Sequence, residues 1–178
     1  MASLYDFSRK IASLMKEENY KEALEYFKTN KGEFTTKMIG SNVYIISDII
    51  KCLKETNQCD AAFKFFDIYE IQINEDTNER VLTSYSWLLY SKYKADNQTG
   101  EVHHDSDIHQ DFFDDEESEG INTLPLIKTE LLQKIESAII LLNNHNSKYA
   151  YSAKSWLFFL VLKTEKKKPA PNWNLRSE

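Results

Sequence analysis

Residues 11–27, IASLMKEENYKEALEYF, align without a gap on residues 49–65, IIKCLKETNQCDAAFKF, at a displacement of 38 positions. The identical pairs are Ile11/Ile49, Lys16/Lys54, Glu17/Glu55, Asn19/Asn57, Ala23/Ala61 and Phe27/Phe65, with Met15/Leu53 and Glu22/Asp60 conservative. Each segment carries apolar residues at helical spacing on both sides of a short polar break. A repeat of about 30 to 50 residues, each unit a helix, a turn and a helix, is the mark of an α-solenoid. These two segments set the expectation for the whole chain: an all-α fold of stacked helical hairpins.

Outside the repeat the helical spacing continues. Leu4, Phe7, Ile11 and Leu14 form one stripe, and Tyr20, Ala23, Leu24 and Phe27 the next. Ile46, Ile49, Ile50 and Leu53 follow, then Ala62, Phe65, Phe66 and Tyr69, then Val81, Tyr85, Leu88 and Leu89. Later stripes run through Ile127, Leu131, Ile135, Ala138 and Leu142, and through Tyr149, Ala153, Trp156, Leu157 and Leu160. The spacing predicts seven helices, over 3–18, 20–30, 41–55, 58–71, 78–94, 126–144 and 148–166. Asn19 before Glu22, and Asn57 before Asp60, read as N-caps with an acid in the first turn. Pro125 suits the first turn of the sixth helix, and Pro169 after Lys166, Lys167 and Lys168 closes the seventh.

Composition agrees with one such domain over 1–178. Of 178 residues 42% are hydrophobic and only 4 are Gly and 3 Pro, too few turn formers for a sandwich or barrel. The net charge of −6 is concentrated in one place. Residues 101–119 hold nine acids and no Lys or Arg, which leaves the remainder with 22 basic against 19 acidic residues. This balance argues against general nucleic-acid binding, because neutralising phosphates needs clustered Lys and Arg. The N-terminal stretch MASLYDFSRK lacks the apolar core of a signal peptide, and the longest apolar run, Trp156–Leu162, is too short for a bilayer. The expectation is a cytoplasmic protein with no membrane segment and reduced cysteines.

Small residues at Ala23 and Ala61 let the two helices of a unit approach to roughly 8–10 Å, and Phe27 and Phe65 one turn later fill the space before the next unit. Here Asn19-Tyr20-Lys21-Glu22-Ala23-Leu24-Glu25-Tyr26-Phe27 resembles the start of the second helix of a tetratricopeptide repeat, with aromatic, small and aromatic positions in order. The resemblance covers roughly residues 4–70. It departs from the family pattern at the turn glycine, which is Glu18 here and Thr56 in the second unit, and at large Ile11 and Ile49 in place of a small residue. It implies a non-catalytic scaffold that binds another protein. The groove such a repeat would offer is lined by first-helix residues Tyr5, Arg9, Ser13, Tyr44, Asp48 and Lys51.

The segment 94–122 interrupts the pattern and reads as an acidic insertion. Asp105, Asp107, His109, Asp111 and Glu116 fall at calcium-loop positions, but the turn glycine such a loop requires is Gln110. No metal or other cofactor is therefore assigned. Phe112 and Phe113 among the acids, with Asp105, Asp107, Asp111 and Asp114, make the segment an alternative interaction element. Catalytic signatures are missing: no HExxH, phosphate loop, nucleophile elbow or dinucleotide fingerprint is present. Cys52 aligns with the core residue Leu14 and reads as a small hydrophobe.

The seventh helix, with Trp156-Leu-Phe-Phe-Leu-Val-Leu162, is apolar all round, so one packed face does not account for it. Trp156 and Phe159 join the partner-binding candidates, the partner being another protein or a second copy of the chain. Ser86-Trp87-Leu88 echoes Ser155-Trp156-Leu157. Residues 169–178 read as a tail or the opening of a further element, as in an N-terminal region of a larger assembly. The alternatives from other classes are a self-associating subunit and an RNA- or metal-binding helical module.

Overall fold

The structure, a computed structural model, describes residues 3–98 and 128–165. Every regular element among them is helical. In order they are α1 (Leu4–Lys16), α2 (Tyr20–Asn30), a 3₁₀ turn (Lys31–Glu33), α3 (Thr36–Gly40), α4 (Val43–Glu55), α5 (Cys59–Ile68), α6 (Glu79–Gln98), α7 (Lys128–Leu142) and α8 (Lys148–Glu165). Two differences from the sequence expectation stand out. The short α3 fills a stretch read as a connection, giving eight α-helices among the described residues in place of seven. And α6 runs to Gln98, so residues 94–98 belong to a helix and not to the acidic insertion. The rest of that insertion, with Asp105, Asp107, Asp111, Phe112, Phe113 and Asp114, lies outside the described residues, as do Pro125 and 169–178.

Local chemistry places the ends. Ser3 caps α1, its Oγ accepting from the Asp6 N–H at 3.1 Å. Asn42 caps α4, its Oδ1 accepting from the N–H groups of Tyr44 and Ile45, both at 3.1 Å. The two expected asparagine caps act differently. Asn19 stands at the N-cap of α2, yet its side-chain amide donates to Glu17 Oε2. Asn57 lies one residue ahead of the α5 cap, which is Gln58, and takes a left-handed backbone with φ 60°.

That shift changes the repeat register. α1 ends on Glu17 and turns through Glu18 (φ 59°), whose N–H donates to Met15 O while the Asn19 N–H donates to Leu14 O. α4 ends on Thr56 and turns through Asn57, whose N–H donates to Lys54 O while the Gln58 N–H donates to Leu53 O. These are the same Schellman turn, and they are 39 residues apart, not 38. The sequence admits both registers because the second unit carries doublets, Ile49-Ile50, Ala61-Ala62 and Phe65-Phe66. Backbone geometry selects 39, so the fully buried counterpart of Ala23 is Ala62, and Ala61 is only partly buried. Phe27 and Phe65 are nonetheless both fully buried and meet with ring centroids 5.8 Å apart.

The helices pack in succession. α1 lies against α2 and α4, α2 also against α4, α4 against α5 and α6, and α5 against α6. α6 then packs on α7 and α8, and α7 on α8. Each substantial contact thus joins helices of one pair or of successive pairs. The core is continuous and strongly aromatic in its first half, where Phe7 touches Tyr26, Phe27 and Phe34, and Tyr69 packs on Phe27 and Phe65.

Candidate interaction face

Three helices place the candidate side chains. At the start of α6, Arg80 donates from Nη2 to Asp48 Oδ1 at 2.8 Å and from Nε to Ser47 Oγ at 2.6 Å, both on α4. Its guanidinium also lies over the Tyr44 ring, 5.2 Å from the centroid. One to two turns on, Lys51 and Lys54 of α4 and Ser84 and Trp87 of α6 line one cleft of about 370 Å³. Early residues therefore meet early residues and later meet later, so α4 and α6 run in the same sense. The same holds for α6 and α8. Glu79, the first residue of α6, is hydrogen-bonded to Ser147, whose Oγ accepts from the Ala150 N–H in the first turn of α8. Further along, Tyr90 of α6 meets Trp156 of α8.

On the outer side of these helices the aromatic rings form a ladder. Trp87 and Tyr90 are 5.7 Å apart, Tyr90 and Trp156 5.6 Å, and Trp156 and Phe159 6.2 Å, each pair edge to face. Lysines flank it: Lys94 Nζ sits 5.5 Å from the Tyr90 centroid and Lys163 Nζ 4.5 Å from that of Phe159. Trp156 is 45% exposed and Phe159 46%, large values for side chains of this size. The adjoining side of α8 is committed to the core, with Ala153, Leu157 and Leu160 buried. Phe158 and Leu162 are exposed as well, so the apolar circumference of this helix is only partly covered.

Of the expected groove residues, Tyr5, Arg9, Ser13, Tyr44 and Lys51 are exposed. Asp48 is not a surface residue: it is buried, and its carboxylate is engaged by Arg80. Helix phase alone missed this because the burying side chain comes from a helix 32 residues away. Sequence reasoning also missed Trp87, Tyr90 and Lys94. The Ser-Trp-Leu echo pointed to them, since Trp87 and Trp156 occupy the same position counted from the starts of α6 and α8.

The interior offers little chemistry. Burial pushes the Cys52 thiol up to about 12 and the Cys59 thiol up to about 11, the neighbouring acids Asp48 and Asp60 adding to it. Both are free and buried, so neither presents a thiolate near neutral pH. Lys92, largely buried, bridges Asp60 of α5 and Asp96 of α6 at 3.0 and 3.1 Å. Burial lowers its pKa, but those two carboxylates outweigh it and leave the value raised, so it is a charged tie between helices. Among the described residues no cluster of three or more His, Cys, Asp or Glu side chains could hold a metal, and no helix is long and apolar enough to cross a membrane. Comparisons with protein-family models, curated proteins and solved structures gave no match.

Proposed function

We propose that this chain is a non-catalytic, cytoplasmic protein-interaction scaffold, a divergent tetratricopeptide-like stack of helical pairs. The observation that carries the reading is the side-by-side run of α4, α6 and α8, which joins the exposed rings of Trp156 and Phe159 on α8 to the partly buried rings of Trp87 and Tyr90 on α6 in one ladder beside a cleft. Aromatic side chains half in water at the centre of a surface are the usual anchors of protein recognition. The succession of contacts from α1 to α8 supports the stacked-pair architecture, since in such a stack each unit touches only its neighbours. The repeated Schellman turn supports it too. Two free, buried cysteines agree with a reducing compartment.

The test is affinity capture from the native host with the wild-type chain and with a Trp156→Ala, Lys163→Glu variant. Both sites are exposed, so the variant is expected to keep the wild-type melting temperature. The reading expects a discrete protein retained by the wild type and depleted at least fivefold by the variant. Recovery of no protein above background, or equal recovery by both, would contradict it.

A further inference from the structure

The α6 and α8 surfaces carry the same pattern twice. Trp87, Tyr90 and Lys94 are spaced three and four residues apart, and so are Trp156, Phe159 and Lys163. In each, the lysine ammonium stands over the second ring of its own set. The two sets lie on neighbouring helices running in the same sense, in contact through Tyr90 and Trp156. Beside the first set, Lys51 and Lys54 of α4 rim the cleft that Trp87 closes. Among the described residues the acid paired with one of these lysines is Glu55, whose Oε1 is 2.6 Å from Lys54 Nζ.

From this we infer that the face receives an acidic peptide in extended form, carrying apolar side chains about three residues apart. Side-by-side helices are separated by roughly 8–10 Å, and a chain in the extended polyproline-II form advances about 3.1 Å per residue with three residues per turn, so every third side chain falls on one side about 9 Å apart. Equivalent rings on α6 and α8 would then meet every third side chain of such a polyproline-II segment crossing both helices. The intervening carboxylates would fall beside Lys51, Lys94 and Lys163. Charge complementarity selects the acid: Lys94 and Lys163, both exposed, stand over rings of the ladder. A single-stranded nucleic acid fits less well. Bases need open ring faces to stack on, whereas these rings pack edge to face and Tyr90 and Phe159 already carry a lysine over one face. The inference rests on the scaffold reading and names the chemistry of what the scaffold holds.

The experiment is fluorescence polarisation on the full chain at low salt, with fluorescein-labelled peptides of four repeats of Glu-Glu-Phe, Lys-Lys-Phe or Glu-Glu-Ala, and with a twelve-nucleotide oligouridylate. The expected result is binding of the Glu-Glu-Phe peptide about tenfold tighter than of the other two peptides, since opposite charge favours and like charge opposes association. A Lys94→Gln, Lys163→Gln variant should lose most of the preference for Glu over Lys while keeping its circular dichroism spectrum and melting temperature. Trp156→Ala should weaken the Glu-Glu-Phe peptide about fivefold. No binding of that peptide, equal binding of the three, tighter oligouridylate binding, or a wild-type dimer that Trp156→Ala dissociates would each overturn the inference. If these peptides fail while partner capture still depends on Trp156 and Lys163, the scaffold reading stands and only the acidic ligand falls.

Discussion

Glu18, Asn57 and Glu70 all hold a left-handed backbone, with φ between 51° and 60°, at the ends of α1, α4 and α5. A side chain other than Gly or Asn there costs roughly 1–2 kcal/mol, partly offset by the greater unfolded-state freedom a glycine would bring. Glu18→Gly and Glu70→Gly should therefore each stabilise the fold by about 0.5–1 kcal/mol, read as a rise of a few degrees in melting temperature. Asn57→Gly should gain less, because Asn tolerates this conformation. The buried thiols make a second prediction at this scale. An unfolded thiol loses its proton near pH 9, while Cys52 and Cys59 hold theirs to about 12 and 11. Above pH 9 the unfolded chain binds fewer protons than the native one, so stability falls as pH rises, by up to about 1.4 kcal/mol per pH unit for each thiol. Urea unfolding at pH 8, 9.5 and 10.5 measures the slope, and Cys52→Ala with Cys59→Ala should flatten it. The left-handed sites were only partly legible: the tetratricopeptide resemblance put its turn glycine at Glu18 but at Thr56, one residue short of Asn57, in the second unit, and Glu70 gives no sign of such a turn.

The element least visible beforehand is α3. Its five residues are too few for an amphipathic period; Thr35 caps it, its Oγ1 accepting from the Met38 N–H at 3.2 Å, and a tertiary contact holds its other end. A Cβ on Gly40 would stand 2.3 Å from the Tyr69 carbonyl oxygen, a backbone atom at the end of α5. Gly40 thus lets the linker lie directly on the second hairpin. Gly40→Ala should cost about 1–3 kcal/mol by forcing the two backbones apart, seen as a lower urea midpoint, whereas Gly32→Ala, which meets nothing within 4 Å, should change little. The longer helices were legible because their apolar stripes extend over three or more turns. Ile11 and Leu14 of α1, and Leu53 of α4, are buried as periodicity requires. Caps were less legible, since Asn19 and Asn57 have the right chemistry at positions where the backbone uses them otherwise.

Over the whole molecule, the pairs build on one another from α1–α2 through α4–α5 and α6–α7 to α8. The expectation of paired helices came from the repeat. Its register was not, because Ile49-Ile50 and Ala61-Ala62 satisfy two alignments. The face on α6 and α8 was legible only as an echo around Trp87 and Trp156, since the ladder needs Tyr90 and Trp156 to meet across helices that lie more than 60 residues apart in sequence. The central proposal, a stack of pairs and not a bundle around one shared core, makes stability depend on position. Native-state hydrogen exchange of the intact chain in low urea tests it most directly. Amides of α4 and α6, each packed on both sides, should open with the highest free energy, and those of α1 and α8 should exchange through cheaper partial openings. A single free energy of opening shared by α1, α4, α6 and α8 would contradict the stack.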